Sequence, residues 1–246
     1  MTVCLFDAYG TLLDVHSAVK QHAEALGPQA ESISALWRSK QLEYSWVHGL
    51  MGQHQDFWTL TQRALDHALA VYGIGDEAIR SNLLDAYLNL EAYPDAVAFL
   101  QHLKDNDIPT GILSNGSPDM LEPAVKAAGL SELLDTVLSI EEIGIYKPDP
   151  RVYQMACERF SVVPSSVIFM SSNPWDAAGA ALFGFRVIWV NRNGMPQEYP
   201  DSPHSTSSRI SRRWQTFSTE EEAEYLGTSR MPGIRQERFT MPVFRA

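Results

Sequence analysis

Val3-Cys4-Leu5-Phe6-Asp7-Ala8-Tyr9-Gly10-Thr11-Leu12-Leu13 decides how the rest of the chain is read. The apolar run from 3 to 6 has the length of a buried strand, and Tyr9-Gly10 supplies the turn that stops it. Asp7 then stands at the carboxyl end of that strand, where open α/β sheets bind their ligands. The plain alternative for Asp7 is a turn former or helix cap. Buried-strand placement followed by Gly10-Thr11 argues for chemistry instead.

Working outward, residues 15 to about 92 show no strand alternation and carry helical spacing. Trp37, Leu42, Tyr44, Trp46, Val47, Leu50 and Met51 supply apolar faces, continued by Phe57, Trp58, Leu60, Leu65 and Leu69. From Tyr93-Pro94-Asp95 the pattern changes to alternating units. A helix over Asp95 to Lys104 precedes a strand at Thr110-Gly111-Ile112-Leu113. Ser117 and Pro118 suit the cap and first position of a helix that ends at Gly129. Thr136 to Ile140 reads as a strand, Asp149-Pro150 as a helix start and Val167-Ile168-Phe169-Met170 as a third buried strand. Asn173-Pro174 opens the next helix, and Val187-Ile188-Trp189-Val190 closes the series. Such alternation predicts an α/β fold with a doubly wound, mostly parallel, Rossmann-like sheet. The expected organisation is an α/β core over 1–14 and 93–199, a helical cap over 15–92 inserted after the first strand, and an irregular segment over 200–246. The cap would cover the carboxyl ends of the strands and place the site between the two parts.

The 246 residues are 45% hydrophobic and 20% charged, an ordinary globular composition. A net charge of −11 argues against nucleic acid or an anionic membrane as partner. An anionic substrate must therefore be drawn by a few local cations. Cys4 and Cys157 have no metal-ligand spacing. No apolar stretch reaches membrane-spanning length and no signal-like segment precedes Asp7, so the expected location is the cytoplasm.

Further motifs follow in order: Leu36-Trp37-Arg38-Ser39-Lys40-Gln41-Leu42-Glu43-Tyr44-Ser45-Trp46, Ser114-Asn115-Gly116, Tyr146-Lys147-Pro148 and Ser171-Ser172-Asn173-Pro174-Trp175-Asp176. Together with Asp7 to Leu13 they resemble the (S)-2-haloacid dehalogenases of the haloacid dehalogenase superfamily, over residues 1 to about 199. The resemblance implies the haloacid dehalogenase fold and a metal- and cofactor-free hydrolysis. Short (S)-2-haloalkanoic acids would become (R)-2-hydroxy acids through a covalent aspartyl ester. It also implies a homodimer. By resemblance Asp7 is the nucleophile, Thr11 holds its carboxylate and Lys147 keeps it ionised, with Tyr153 in the same cluster. Arg38 and Asn115 cradle the leaving halide, with Trp175 as aromatic wall. Ser114 and the backbone of Ala8 and Tyr9 take the substrate carboxylate, while Leu42, Phe57 and Trp175 wall its alkyl part. Asn173 and Asp176, helped by Ser171, position the hydrolytic water, with Asp176 as base.

Bland alternatives stand beside several of these. Thr11 is able to cap backbone, Lys147 to be a solvated loop lysine, Arg38 to be a surface arginine and Ser114 to terminate a strand. Asn173 and Asp176 also fit a capping pair around Pro174. The rival enzyme reading is a magnesium-dependent phosphatase or phosphonate hydrolase of the same superfamily. Phosphatases there place a general acid two residues after the nucleophile, where this chain has Tyr9, a phenol with a pKa of about 10. They also place a magnesium-binding Asp where this chain has Ser172, a poor anchor for a hard dication. A halide leaves without a proton, so fixed donors suffice. A non-catalytic binding protein that kept the fold is the remaining alternative.

Overall fold

The fold is taken from a computed structural model of the protein, in which residues 1–199 are described. The irregular segment expected over 200–246 lies outside the described residues. β1 (Val3–Phe6) is buried along its whole length, which is why its sequence shows an unbroken apolar run. It is the middle strand of a sheet with β2 (Thr110–Ser114), β3 (Thr136–Ser139), β4 (Val167–Ser171) and β5 (Arg186–Trp189), in the order β3-β2-β1-β4-β5. Every pairing is parallel, and Phe6 lies opposite both Ile112 and Met170.

That order positions the site. The chain steps from β1 outward to β3, then returns to the other side of β1 for β4 and β5. The reversal leaves a crevice at the carboxyl ends of β1 and β4. Asp7 follows β1 on one side of it, and Ser172 and Asn173 follow β4 on the other.

Between β1 and β2 the chain forms α1 (Ser17–Gln21), α2 (Ala23–Leu26), α3 (Ala30–Leu50), α4 (Phe57–Val71) and α5 (Glu77–Leu88), and then α6 (Pro94–Asp105) leads into β2. The buried stripe of α3 runs Ile33, Trp37, Gln41, Ser45 in four-residue steps along one face. Trp37 Nε1 donates to the Thr61 carbonyl at 2.8 Å, which ties α3 to α4. Val47, Leu50 and Met51, expected in an apolar face, are instead exposed. Val47 and Leu50 point away from the stripe, and Met51 lies past the last turn.

α7 (Pro118–Ala127), α8 (Pro150–Phe160) and α9 (Pro174–Phe183) connect the later strands. Each starts with proline, whose missing N–H costs nothing at that position. Asp149 caps α8 by accepting from the Arg151 amide at 2.9 Å. Ser117 occupies the cap position of α7, but its hydroxyl caps nothing and is buried without a partner. Among the described residues no helix is long and apolar enough to cross a membrane.

Gly179 sets how closely α9 approaches the loop carrying Lys147. A Cβ at this position would lie 2.5 Å from Pro148 Cβ and 2.8 Å from the Tyr153 hydroxyl. Gly179→Ala is therefore predicted to destabilise by about 1–3 kcal/mol, the usual cost of overpacking. Urea denaturation should show a lower midpoint at unchanged slope; a midpoint equal to wild type would mean that the contact relaxes freely.

Candidate active site

Asp7 leaves β1 with its amide still bonded to the Met170 carbonyl at 2.9 Å, so its backbone is part of the sheet. The Ala8 carbonyl then accepts from the amides of Thr11, Leu12 and Leu13, and Gly10 takes a φ of 92°. This tight return needs glycine's access to positive φ, and it brings Thr11 back over Asp7. Thr11 Oγ1 donates to Asp7 Oδ2 at 3.1 Å, and Asn173 Nδ2 donates to the same oxygen at 2.7 Å. Asp7 Oδ1 accepts from Lys147 Nζ at 3.2 Å.

Lys147 is no solvated loop lysine. Its side chain is 0% exposed, and its ammonium bridges Asp7 to Asp176 Oδ2, the latter at 2.8 Å. Tyr153 donates its hydroxyl to Asp176 Oδ1 at 2.8 Å, so its place is on Asp176 rather than on Asp7. Asn173 and Asp176 flank the start of α9, but Asn173 makes no side-chain cap and Asp176 does not reach back to it. Charge-assisted partners across the crevice hold both side chains instead. Ser171 Oγ accepts from the Asn173 amide at 3.2 Å and so fixes the chain where it leaves β4.

Arg38 arrives from α3. Its Nη1 donates to Gln41 Oε1 at 2.7 Å, and its Nη2 donates to the Tyr9 carbonyl at 3.1 Å and to Asn173 Oδ1 at 3.3 Å. A surface arginine is excluded. Asn115 spends its Oδ1 on the Lys147 amide at 3.0 Å, which leaves the NH₂ end of the side chain for a ligand. Ser114 Oγ accepts from the Gly116 amide at 3.0 Å, the local strand-ending bond foreseen as its alternative.

Asp7, Tyr9, Arg38, Leu42, Phe57, Ser114, Asn115, Asn173 and Trp175 line one small cavity. The structure thus gathers there the nucleophile candidate, both candidate halide donors and the three candidate alkyl walls. Ala8 is buried in the turn beneath. The cavity volume is ≈ 10 Å³, about the room one water needs, so any organic ligand must push its walls apart. Trp175 packs edge-on against Trp46 at 5.3 Å, and Tyr9 stacks on Tyr87 at 5.7 Å.

Some contributors were not singled out from sequence. Ser172, read there only as a missing carboxylate, gives its amide to Thr11 Oγ1 at 2.9 Å and its hydroxyl to the Gly10 carbonyl. Arg192 donates to the Thr11 carbonyl at 2.7 Å while paired with Asp95 and lying over the Tyr93 ring. Gln41 grips Arg38 from one turn away on α3; the three-residue spacing was the available signal. Arg192, far along the chain, gave none.

Burial pushes the Asp176 carboxyl up to about 6, against the pull of the Lys147 ammonium and with a further push from the Asp7 charge. Burial also holds the Tyr153 phenol well above its ordinary value, with Asp176 adding to it, so Tyr153 remains a donor. The Tyr9 phenol is raised in the same way, first by burial and then by Tyr87, which removes it as an acid or base near neutrality.

A family model for haloacid dehalogenase-like hydrolases matches residues 1–184. The (S)-2-haloacid dehalogenase 1 of Pseudomonas sp. (strain CBS-3) is 54% identical over 208 residues, 83% of this chain and 92% of that protein. A crystal structure of a dehalogenase with an intermediate complex superposes with a TM-score of 0.81 at 50% identity, covering 82% of this chain and 90% of the other. The L-2-haloacid dehalogenase from Xanthobacter autotrophicus with chloropropionic acid covalently bound gives a TM-score of 0.73 at 37% identity, covering 86% and 90%. The chain belongs to the haloacid dehalogenase-like hydrolases and, within them, to the (S)-2-haloacid dehalogenases, enzymes that act on carbon–halide bonds.

The position of Asp176 generates a pH prediction. A base must be ionised to accept a proton, so a step that uses Asp176 runs above the carboxyl's pKa and fails below it. Covalent capture of Asp7 would remove one of the charges that raises this value. The acid limb of kcat is therefore expected at or below about 6. Asp176→Asn should lack turnover and accumulate modified Asp7, visible as added mass on its peptide. Retention of the wild-type rate in that variant would remove Asp176 from the role.

Proposed function

We propose that this chain hydrolyses short (S)-2-haloalkanoic acids to (R)-2-hydroxy acids, without metal or other cofactor, through an ester on Asp7. The observation that carries the reading is the Asp7 carboxylate. It is held by Thr11, Asn173 and Lys147 in the wall of a cavity that also carries Arg38 and Asn115. A carboxylate oxygen attacks the α-carbon from the side opposite the halogen. The carbon–halogen bond breaks, and the halide leaves with the electron pair towards the donors of Arg38 and Asn115. Preorganised donors of this kind lower a barrier where charge develops, by roughly 2.7–4 kcal/mol for one donor in a measured oxyanion site. Water, positioned by Asn173 and Ser171, then attacks the Asp7 carbonyl carbon and gives its proton to Asp176. The hydroxy acid departs with an oxygen that began on Asp7.

Ser114 and the amides of Ala8 and Tyr9 would receive the substrate carboxylate, and Leu42, Phe57 and Trp175 would face its alkyl group. The metal-free reading is supported by the donor set. The cation beside the two carboxylates is Lys147, and the Ser172 hydroxyl is committed to a backbone carbonyl. A homodimer, with 15–92 acting as a cap domain, completes the proposal, and the exposed Val47, Leu50 and Met51 offer it an apolar surface. Two free buried thiols suit a cytoplasmic setting.

The test is halide release from each enantiomer of 2-chloropropionate with a chelator present. Release from the (S) form alone is expected; dependence on added magnesium would favour a phosphatase-like member. Asp7→Asn should lose at least about 10³-fold in rate, since an amide is a weak nucleophile. A single turnover with excess enzyme in heavy-oxygen water separates two routes. Label entering Asp7 supports the ester; label appearing directly in the product would mean direct displacement by water.

A further inference from the structure

Gln41 is a fully buried polar residue in the middle of the stripe that α3 turns inward, only 1% exposed. Its amide is saturated by Arg38 on its own helix and by partners on α4 and α5. Oε1 accepts from Arg38 Nη1 at 2.7 Å and lies 3.2 Å from the Tyr87 hydroxyl, while Nε2 donates to Thr61 Oγ1 at 2.6 Å and reaches Tyr87 at 3.0 Å. The orientation of the amide is not arbitrary. A guanidinium only donates, so Oε1 must face Arg38. Thr61 spends its own proton on the Phe57 carbonyl at 2.7 Å, so its oxygen is free to accept from Nε2. One chain of donors and acceptors therefore runs from the start of α4 through Thr61 and Gln41 to Arg38.

We propose that Gln41 is a positioning residue for halide departure: it fixes the rotation of the Arg38 guanidinium so that the N–H groups not engaged by protein face the leaving atom. The proposal rests on the dehalogenase reading and on Arg38 as halide donor. An arginine on a helix has several rotatable bonds and, without an acceptor beside it, spreads over many orientations. The Tyr9 carbonyl and Asn173 Oδ1 restrain Nη2 alone. Gln41 adds a hold on Nη1, and two points define the plane of the fork. Tyr87 braces Gln41 while its ring stacks on Tyr9, so the same network reaches the turn after Asp7. The amide is kept inside the buried stripe because every one of its hydrogen-bonding positions is used.

The test compares chloride with bromide as leaving group. Chloride departs less readily and leans more on the donors, so loosening Arg38 must slow chloride release more than bromide release. Gln41→Met keeps the volume and removes both polar ends. Single-turnover rates of ester formation from (S)-2-chloropropionate and (S)-2-bromopropionate are measured on one preparation, so their ratio is independent of the active fraction. The expected result is a loss of roughly 10- to 100-fold on chloride, the scale seen when supporting groups around a preorganised centre are removed, with a clearly smaller loss on bromide. Substrate affinity should stay within about twofold, because the carboxylate contacts are untouched. An unchanged bromide-to-chloride ratio, whatever the absolute rates, overturns the proposal. Tyr87→Phe, which keeps the stacked ring, carries the same test if Gln41→Met is not recovered folded: a shift in the same direction supports the proposal and an unchanged ratio overturns it. Wild-type protein that releases neither halide would instead sink the underlying dehalogenase reading.

Discussion

The ammonium of Lys147 sits out of solvent between two carboxylates, Asp7 at 3.2 Å and Asp176 at 2.8 Å. Burying ions costs several kcal/mol each unless geometry and further hydrogen bonds compensate. One cation shared by two acids leaves the cluster short of positive charge, and the surroundings answer with neutral donors. Thr11 and Asn173 serve Asp7, and Tyr153 serves Asp176. Each donor comes from a different place in the chain: the turn after β1, the start of α9 and the first turns of α8. The strand order follows from this need. Only with β4 beside β1 do the residues leaving those two strands face each other across one crevice.

The α1–α5 segment is bound to this cluster by chemistry as much as by packing. Arg38 reaches across to the Tyr9 carbonyl and to Asn173, which itself donates to Asp7. From the other side Arg192 fastens the Thr11 carbonyl. The short turn after β1 is thus clamped between two guanidinium groups. Its own glycine, Gly10, supplies the positive φ that lets it close.

Much of this was readable in the residues. Unbroken apolar runs mark β1 and β4 because strands buried on both faces need no alternation. Helix starts fall close to expectation, since proline at 94, 118, 150 and 174 marks a first position without ambiguity. Other features were hidden for physical reasons. Asn173 and Asp176 satisfy a capping pattern and a site pattern equally well, and only the partners across the crevice decide between them. Gln41 and Ser45 were passed over because polar residues are ordinarily outside, whereas here Thr61, Tyr87 and the Leu42 carbonyl satisfy them within the stripe. Conversely, Val47 and Leu50 looked like core by type and are outside by helical phase.

The small cavity is assembled from two sources that have little to do with one another. Asp7, Ser114, Asn115 and Asn173 are anchored at strand ends of the sheet, while Arg38, Leu42 and Phe57 come from α3 and α4. The groups proposed for bond making, and the Asn115 halide donor with them, are therefore held by the sheet, whereas the other halide donor, Arg38, and the alkyl walls Leu42 and Phe57 ride on α3 and α4. Selection acting on α3 and α4 is able to reshape which tails and halogens are accepted while the nucleophile and its lysine stay where the strands hold them.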